Sequence, residues 1–396
     1  MTAFFNTGLT QQQFLDQYWQ KKPLLIRQAF ANFESPISPD ELAGLASEAD
    51  IESRLIVEKG SALSWQVSHG PFSDQDFTDL PQSHWTLLVQ DVDKHVPETQ
   101  PLLTPFQFIP NWRSDDLMIS YAPIGGSVGP HTDGYDVFLL QGLGTRKWQV
   151  TDKALHDTPL IEGIDLQVLS EFEHADEWLL ATGDMLYLPP HFGHNGVAMN
   201  DCMTFSIGFR APKQTEAMDA VLNEFLEQGL AKRHYNDPDL QVVKHDHEIG
   251  PQAVENLKQL LHQTIDDAEP VLLNTLGKLV TETKPSLIDL ADALFSESIS
   301  SQEVMKQFDQ GDTLQKSPYH RFAWAKNGMG GNIFVAGEVY RLAQCQREHL
   351  ILLADNPEIT QRDWQQLSSE PEAVATLCIL IAEGAWLWQT PEDVIN

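Results

Sequence analysis

Residues 129–138 read GPHTDGYDVF, which sets a histidine, one spacer and an aspartate directly before an apolar run. Side chains two positions apart on a strand point the same way, so His131 and Asp133 would project together. An imidazole and a carboxylate on one face can fill two neighbouring positions on a divalent metal. A third ligand from another strand would complete a two-histidine, one-carboxylate facial triad and leave the opposite side open. The HxD spacing alone is weak, because the chain repeats it at His174-Ala175-Asp176. That copy lies in the acidic segment EFEHADEW, helix- or loop-like, where positions i and i+2 do not share a face. His245-Asp246-His247 lies in a polar stretch without apolar enclosure and reads as solvated surface.

The third ligand is expected in GDMLYLPPHFGHNGVAM, where a strand stops at two prolines and a histidine-bearing loop leads to the next β run. Two histidines compete there. His191 follows Pro-Pro and suits solvent or loop shaping, whereas His194 precedes Asn195-Gly196; the spacing favours His194 and leaves both open. Arg146 in GTRKWQV is a second chemical element, since alternation puts Arg146, Trp148 and Val150 on one face and Lys147 and Gln149 on the other. A guanidinium among apolar side chains needs an anion. A local carboxylate is the simpler partner; a dicarboxylate ligand gripped by the planar fork is the functional one.

The elements that must position these residues are short β-prone runs up to about residue 211, among them PLLIRQAF, WTLLVQDV, LMISYAP, DVFLLQG, RKWQV, DMLYLPP and MTFSIGFR. Gly, Pro, Asn and Asp separate them, as in an antiparallel sandwich or barrel, with helices near the start. In SPDELAGLASEA, Ser38 caps, Pro39 fits the first turn, and Asp40 and Glu41 suit the helix dipole. After FRAPKQ the period becomes helical: Met218, Val221, Leu222 and Phe225 share a face, and PQAVENLKQLLHQTI and SLIDLADALF read likewise. The expected organisation is therefore α+β, with a β-rich domain over 1–211, a leucine-rich helical domain over 212–305 and a mixed domain over 306–396. The helical layer could pack on its own copy as a homodimer. In the last domain, YHRFAWAKNG and GGNIFVAGEVYRLA read as strands and DWQQLSSEPEAVATLCILIAEGAWLW as helical, a winged-helix-like arrangement. It has no basic stripe, so a protein contact is expected and direct nucleic-acid binding is not.

The length of 396 residues favours two or three domains. Twenty-five Lys and Arg against 57 Asp and Glu leave a net charge of −32, which repels nucleic acid and anionic lipid and suits solubility or a basic protein partner. The cysteines, Cys202, Cys345 and Cys378, form no CxxC pair, which suits a reducing cytoplasm. No signal peptide or membrane-spanning apolar run is read in the sequence.

HTD at 131–133, GTRKW at 144–148 and GDMLYLPPHFGH at 183–194 together resemble the JmjC branch of the 2-oxoglutarate oxygenases. DDLMISYAPIGGSVGPHTDGYDVFLLQG and WQKKPLLIRQAF resemble, more closely, the bacterial ribosomal oxygenases, which hydroxylate an arginine of large-subunit ribosomal protein L-sixteen. The resemblance covers the whole chain. It implies a double-stranded β-helix (cupin) core, a helical dimerisation domain and a winged-helix-like end. It also implies Fe(II), with 2-oxoglutarate and dioxygen as cosubstrates, and a basic ribosomal protein as substrate. Carried over by position, the iron ligands fall on His131, Asp133 and His194. Arg146 falls on the partner of the distal 2-oxoglutarate carboxylate, with Ser120 assisting, and the residues that hold the target arginine fall on Asp116 and Tyr135. Thr132 departs from the pattern, some relatives carrying a bulkier apolar residue there; the ligands are unaffected. Two rival readings remain: a cupin with the same triad but another metal and activity, or a non-catalytic reader of basic protein segments.

Overall fold

A computed structural model of the chain describes residues 2–58, 60 and 65–390. It divides into two compact units, one of Met1–Ala211 with Pro285–Leu290, the other of Pro212–Lys284 with Ala291–Asn396.

The first unit is built on β1 (Leu24–Ile26), β2 (Ser53–Glu58), β3 (Trp65–His69), β4 (Trp85–Val89), β5 (Ser114–Ala122), β6 (Asp136–Leu143), β7 (Thr145–Ala154), β8 (Asp176–Ala181), β9 (Met185–Leu188), β10 (Phe192–Ala198) and β11 (Cys202–Phe209). Among the described residues, one sheet runs β1-β9-β6-β11-β5-β4-β2-β3 and a second runs β8-β7-β10, all neighbours antiparallel. The sequence DVFLLQGL shows why two sheets are needed. Phe138 and Leu140 of β6 enter one core with Phe14, Phe106, Tyr187 and Phe209. Val137 and Leu139, on the opposite face, join Trp148, Val150, Leu180, Leu186 and Leu188 between the sheets. A strand covered on both faces reads as a continuous apolar run, and each such side chain contributes roughly 1.5–3 kcal/mol by leaving water. β11, buried along its whole length between β5 and β6, is the extreme case.

The helix expected in SPDELAGLASEA runs over Pro39–Leu45. The Ser38 hydroxyl accepts the Glu41 N–H at 3.2 Å and the Glu41 carboxylate accepts the Ser38 N–H at 2.8 Å, a reciprocal cap that fixes where the helix starts.

In the second unit the helices Gln214–Glu227, Pro251–Asp267 and Glu269–Thr281 are followed by the strands Phe322–Asn327, Gly330–Val335 and Glu338–Leu342, which form one antiparallel sheet. Helix Glu269–Thr281 packs tightly enough on this sheet that a Cβ at Gly277 would lie 2.4 Å from the Phe334 ring. Of the apolar face expected on Gln214–Glu227, Phe225 is buried while Met218 and Leu222 remain exposed. SLIDLADALF, expected as one helix, is a short 3-10 turn at Pro285–Leu287 and a short helix at Ile288–Asp292. The C-terminal run expected as helical is also divided. Helices Gln361–Leu367 and Pro371–Ala382 break at Pro371, and Trp386–Gln389 is a strand paired with Thr313–Lys316 after Gly384 turns at φ +71°. No described helix is long and apolar enough to cross a membrane.

Candidate metal centre

His131 does not lie in a regular strand. It makes an isolated two-bond bridge with His194: the His131 N–H donates to the His194 carbonyl at 3.0 Å, and the His194 N–H donates back at 2.9 Å. Asp133 follows just before the bend that leads into β6, and its carbonyl accepts the His191 N–H at 2.7 Å. The two ligand-bearing segments are thus held together by peptide groups, and the strand alternation expected of HTD is replaced by a bridge and a turn with the same outcome. Ligating atoms of His131, Asp133 and His194 lie within 4.8 Å of one another. The Asp133 carboxylate sits 4.0 Å from His131 Nε2 and 3.5 Å from His194 Nε2.

Both rings are oriented from behind. His131 Nδ1 donates to the Gly129 carbonyl at 2.9 Å, and His194 Nδ1 donates to the Phe192 carbonyl at 2.9 Å. A carbonyl can only accept, so each Nδ1 carries the proton and each Nε2 offers its lone pair. Burial, reinforced by the neighbouring His131, pushes the His194 pKa down to about 4, so that imidazole is neutral at physiological pH. This donor set of two imidazoles and one carboxylate fits a divalent iron. His191 stands in a left-handed turn at φ +66°, exposed and outside the cluster. His174 and the His245-Asp246-His247 run are likewise outside it.

The cluster opens into a cavity of about 740 Å³ lined also by Ser120, Tyr135, Arg146, Trp148 and Thr204. Arg146, Trp148 and Val150 share the buried face of β7, as the alternation predicts. Arg146 is only 3% exposed, yet no carboxylate pairs with it among the described residues. One guanidinium nitrogen reaches Cys202 Sγ at 3.6 Å and Nε has no partner. A buried cation left in that state fits a carboxylate-bearing cosubstrate such as 2-oxoglutarate. Trp148 lies flat against β10 beside His194, where a Cβ at Gly196 would stand 2.6 Å from its ring; only glycine admits the indole there. Ser120, buried on β5, donates weakly to the Thr204 carbonyl at 3.5 Å.

Asp116 lies on the Ser120 face of β5, beyond the residues that line the cavity. Its Oδ1 and the Tyr135 ring edge converge over Gly208 of β11, at 3.4 and 3.8 Å from where a Cβ would sit. The Asp133 charge, with burial and the Asp116 and Asp115 charges, holds the Tyr135 phenol far above the ordinary tyrosine range. Tyr135 remains 41% exposed at the cavity mouth. Sequence reasoning passed over Arg54, Gln90 and the segment 160–167, all of which line the cavity, and Gly208. Arg54 carried a readable signal, an arginine sharing a strand face with the buried Ile56, by the same alternation that exposes Arg146. The others acquire their place only through tertiary packing.

Comparison with known proteins places this site in context. The JmjC domain family matches residues 101–217 and the ROXA-like winged helix family matches residues 257–387. The chain is 35% identical over 376 residues to the ribosomal protein uL16 3-hydroxylase of Escherichia coli, covering 95% of this chain and 97% of that protein. It is 34% identical over 303 residues to a probable ribosomal oxygenase of Haemophilus influenzae, covering 76% and 70%. The structure of the ribosomal oxygenase YcfD from Escherichia coli in complex with cobalt and 2-oxoglutarate superposes with a TM-score of 0.78 at 33% identity, covering 97% of this chain and 99% of that one.

Proposed function

This chain belongs to the JmjC-domain ribosomal oxygenases, and from that premise we propose that it hydroxylates an arginine side chain of ribosomal protein uL16. It is a 2-oxoglutarate-dependent oxygenase with a JmjC core followed by a ROXA-like winged helix. His131, Asp133 and His194 would hold Fe(II), and Arg146, assisted by Ser120, would hold 2-oxoglutarate. When bound, iron with 2-oxoglutarate and dioxygen supplies the oxidising power that inserts one oxygen atom into an unactivated C–H bond, with succinate and carbon dioxide released. The chain's own residues do the rest. Arg146 meets a carboxylate with its planar fork, and Trp148 walls the cavity beside His194. Asp116 pairs with the target guanidinium while the Tyr135 ring stacks on it or bonds to it, so the target C–H is oriented toward the metal side of the cavity.

The observation that carries this reading is the buried Arg146 guanidinium, which has no acidic partner among the described residues and faces the same cavity as the triad. A cupin of another activity, or an inert reader of basic tails, would leave that charge without a purpose. Purified protein given Fe(II), 2-oxoglutarate and uL16 should form succinate and add one oxygen atom to one uL16 arginine, read by mass spectrometry. Succinate without a uL16 product would remove the substrate assignment.

The homodimer rests on a separate observation. Helix Pro251–Asp267 buries none of its residues, while Val254, Leu257, Leu261 and Ile265, spaced as one helical stripe, are between 48% and 61% exposed. A second copy laid on this stripe would cover it. The strongly acidic chain favours a basic protein such as uL16 over nucleic acid, which supports a protein-facing role for the winged helix, with the enzyme acting in the cytoplasm beside its substrate.

A further inference from the structure

Arg54 on β2 and Gln90 just after β4 lie on paired strands, and both line the cavity. With the Gln90 amide turned so that both its ends are satisfied, its nitrogen donates to Asp116 Oδ2 at 3.0 Å and its oxygen accepts from an Arg54 guanidinium nitrogen at 2.8 Å. The Arg54 Nε is buried without a hydrogen-bond partner among the described residues. The backbone braces the same carboxylate: Asp91, in a left-handed turn at φ +51°, donates its N–H to Asp116 Oδ2 at 3.3 Å. Asp93 Oδ1 accepts the Leu117 N–H in return at 2.9 Å. The neutral amide therefore stands between a built-in guanidinium and the carboxylate whose other oxygen is aimed over Gly208 toward Tyr135.

We propose that Gln90 is a positioning residue for substrate recognition, holding Asp116 toward the incoming arginine and keeping Arg54 from occupying that carboxylate as an internal competitor. The inference rests on the reading of Asp116 as the partner of the target guanidinium. An arginine side chain is long and flexible, so with the amide cut away Arg54 would swing onto Asp116 and take the carboxylate meant for the substrate. Loss of Gln90 then weakens substrate binding twice, by releasing the carboxylate and by admitting the competitor. Only the second effect can be undone by removing Arg54.

The test measures KM for uL16 and for 2-oxoglutarate, with direct binding of uL16, on full-length Asp116→Asn, Gln90→Ala, Arg54→Ala and the Gln90→Ala/Arg54→Ala double variant. Gln90→Ala should raise the uL16 KM about tenfold, the weight of one charge-assisted hydrogen bond, while the 2-oxoglutarate KM holds. The double variant should recover most of that loss. A variant that merely misfolds would lose 2-oxoglutarate affinity as well and would not be restored by deleting a second side chain. If Asp116→Asn leaves uL16 binding intact, the reading of Asp116 fails and the inference with it. If Asp116→Asn weakens binding but Gln90→Ala does not, or the double variant is no better than Gln90→Ala, the inference alone is overturned.

Discussion

Replacing Arg146 by methionine keeps most of the stem and removes the charge, and its expected effects on stability and on cosubstrate binding have opposite signs. In the protein alone the guanidinium is buried, and among the described residues it has a sulfur at 3.6 Å and the Trp148 ring at 5.8 Å for company. A buried ion in so little company costs stability, so Arg146→Met should leave the melting temperature unchanged or raise it. With 2-oxoglutarate the sign reverses. Removing one partner of a buried, hydrogen-bonded charge pair costs roughly 2–5 kcal/mol, which is a loss of about 30-fold to more than a thousandfold in affinity. At 2-oxoglutarate near one hundred times its wild-type Kd, the wild type gains about 2.7 kcal/mol from ligand binding, while a variant weakened 30-fold gains less than about 1 kcal/mol. Thermal melts of the metal-loaded protein with and without 2-oxoglutarate, together with the KM for 2-oxoglutarate, read both quantities. A variant that loses about 3 kcal/mol without ligand yet keeps its KM would mean that Arg146 belongs to a structural ion pair, and the reasoning from its orphaned nitrogen would be refuted.

Four further outcomes are expected. His194→Ala should abolish Co(II) binding by calorimetry and His191→Ala should leave it intact; equal losses would dissolve the distinction between the bridge and the exposed turn. Gly208→Val puts methyl groups between Asp116 and Tyr135, so overpacking of roughly 1–3 kcal/mol should raise the uL16 KM about tenfold or more, with an unaltered 2-oxoglutarate KM. Because the folded-state pKa of His194 is about 4 against 6.5 for the free side chain, the unfolded chain takes up that proton first as pH falls. Stability of the metal-free protein should therefore decline from about pH 6.5 toward pH 4, by up to about 3 kcal/mol from this residue, with the half-buried His320 adding in the same direction. Urea unfolding at pH 8 and pH 5 checks this, and a stability that stays level or rises would contradict it. Leu257→Glu together with Leu261→Glu should convert a dimer to a monomer in analytical ultracentrifugation, whereas an unchanged mass would move the interface off this helix.

Much of the site could be read in the sequence because its chemistry is local. The HTD triplet is two residues from its own partner, and Arg146 betrays itself by sharing a strand face with Trp148 and Val150. The choice between His191 and His194 was not local. It depends on a backbone bridge to His131 and on a left-handed turn that sends His191 outward, and neither is encoded in the spacing. Gln90 and Gly208 lie still further from any motif, since an amide and a hydrogen atom signal nothing until strands from three parts of the chain meet. The helical reading of the C-terminus ran on through Trp388, past the helix end at Ala382, because AWLW, apolar throughout, offers no period by which to tell strand from helix.

The reciprocal amide bridge between His131 and His194 also bears on how the enzyme is born. Because hydrogen bonds between peptide groups hold the two segments together, the arrangement of ligands is a product of chain folding. It exists only once β10 has been synthesised and has closed on the segment before β6. A nascent chain that ends before His194 carries an imidazole and a carboxylate two residues apart and nothing to complete them. The complete ligand set therefore forms only after the second half of this β-rich unit has been made and folded back on the first.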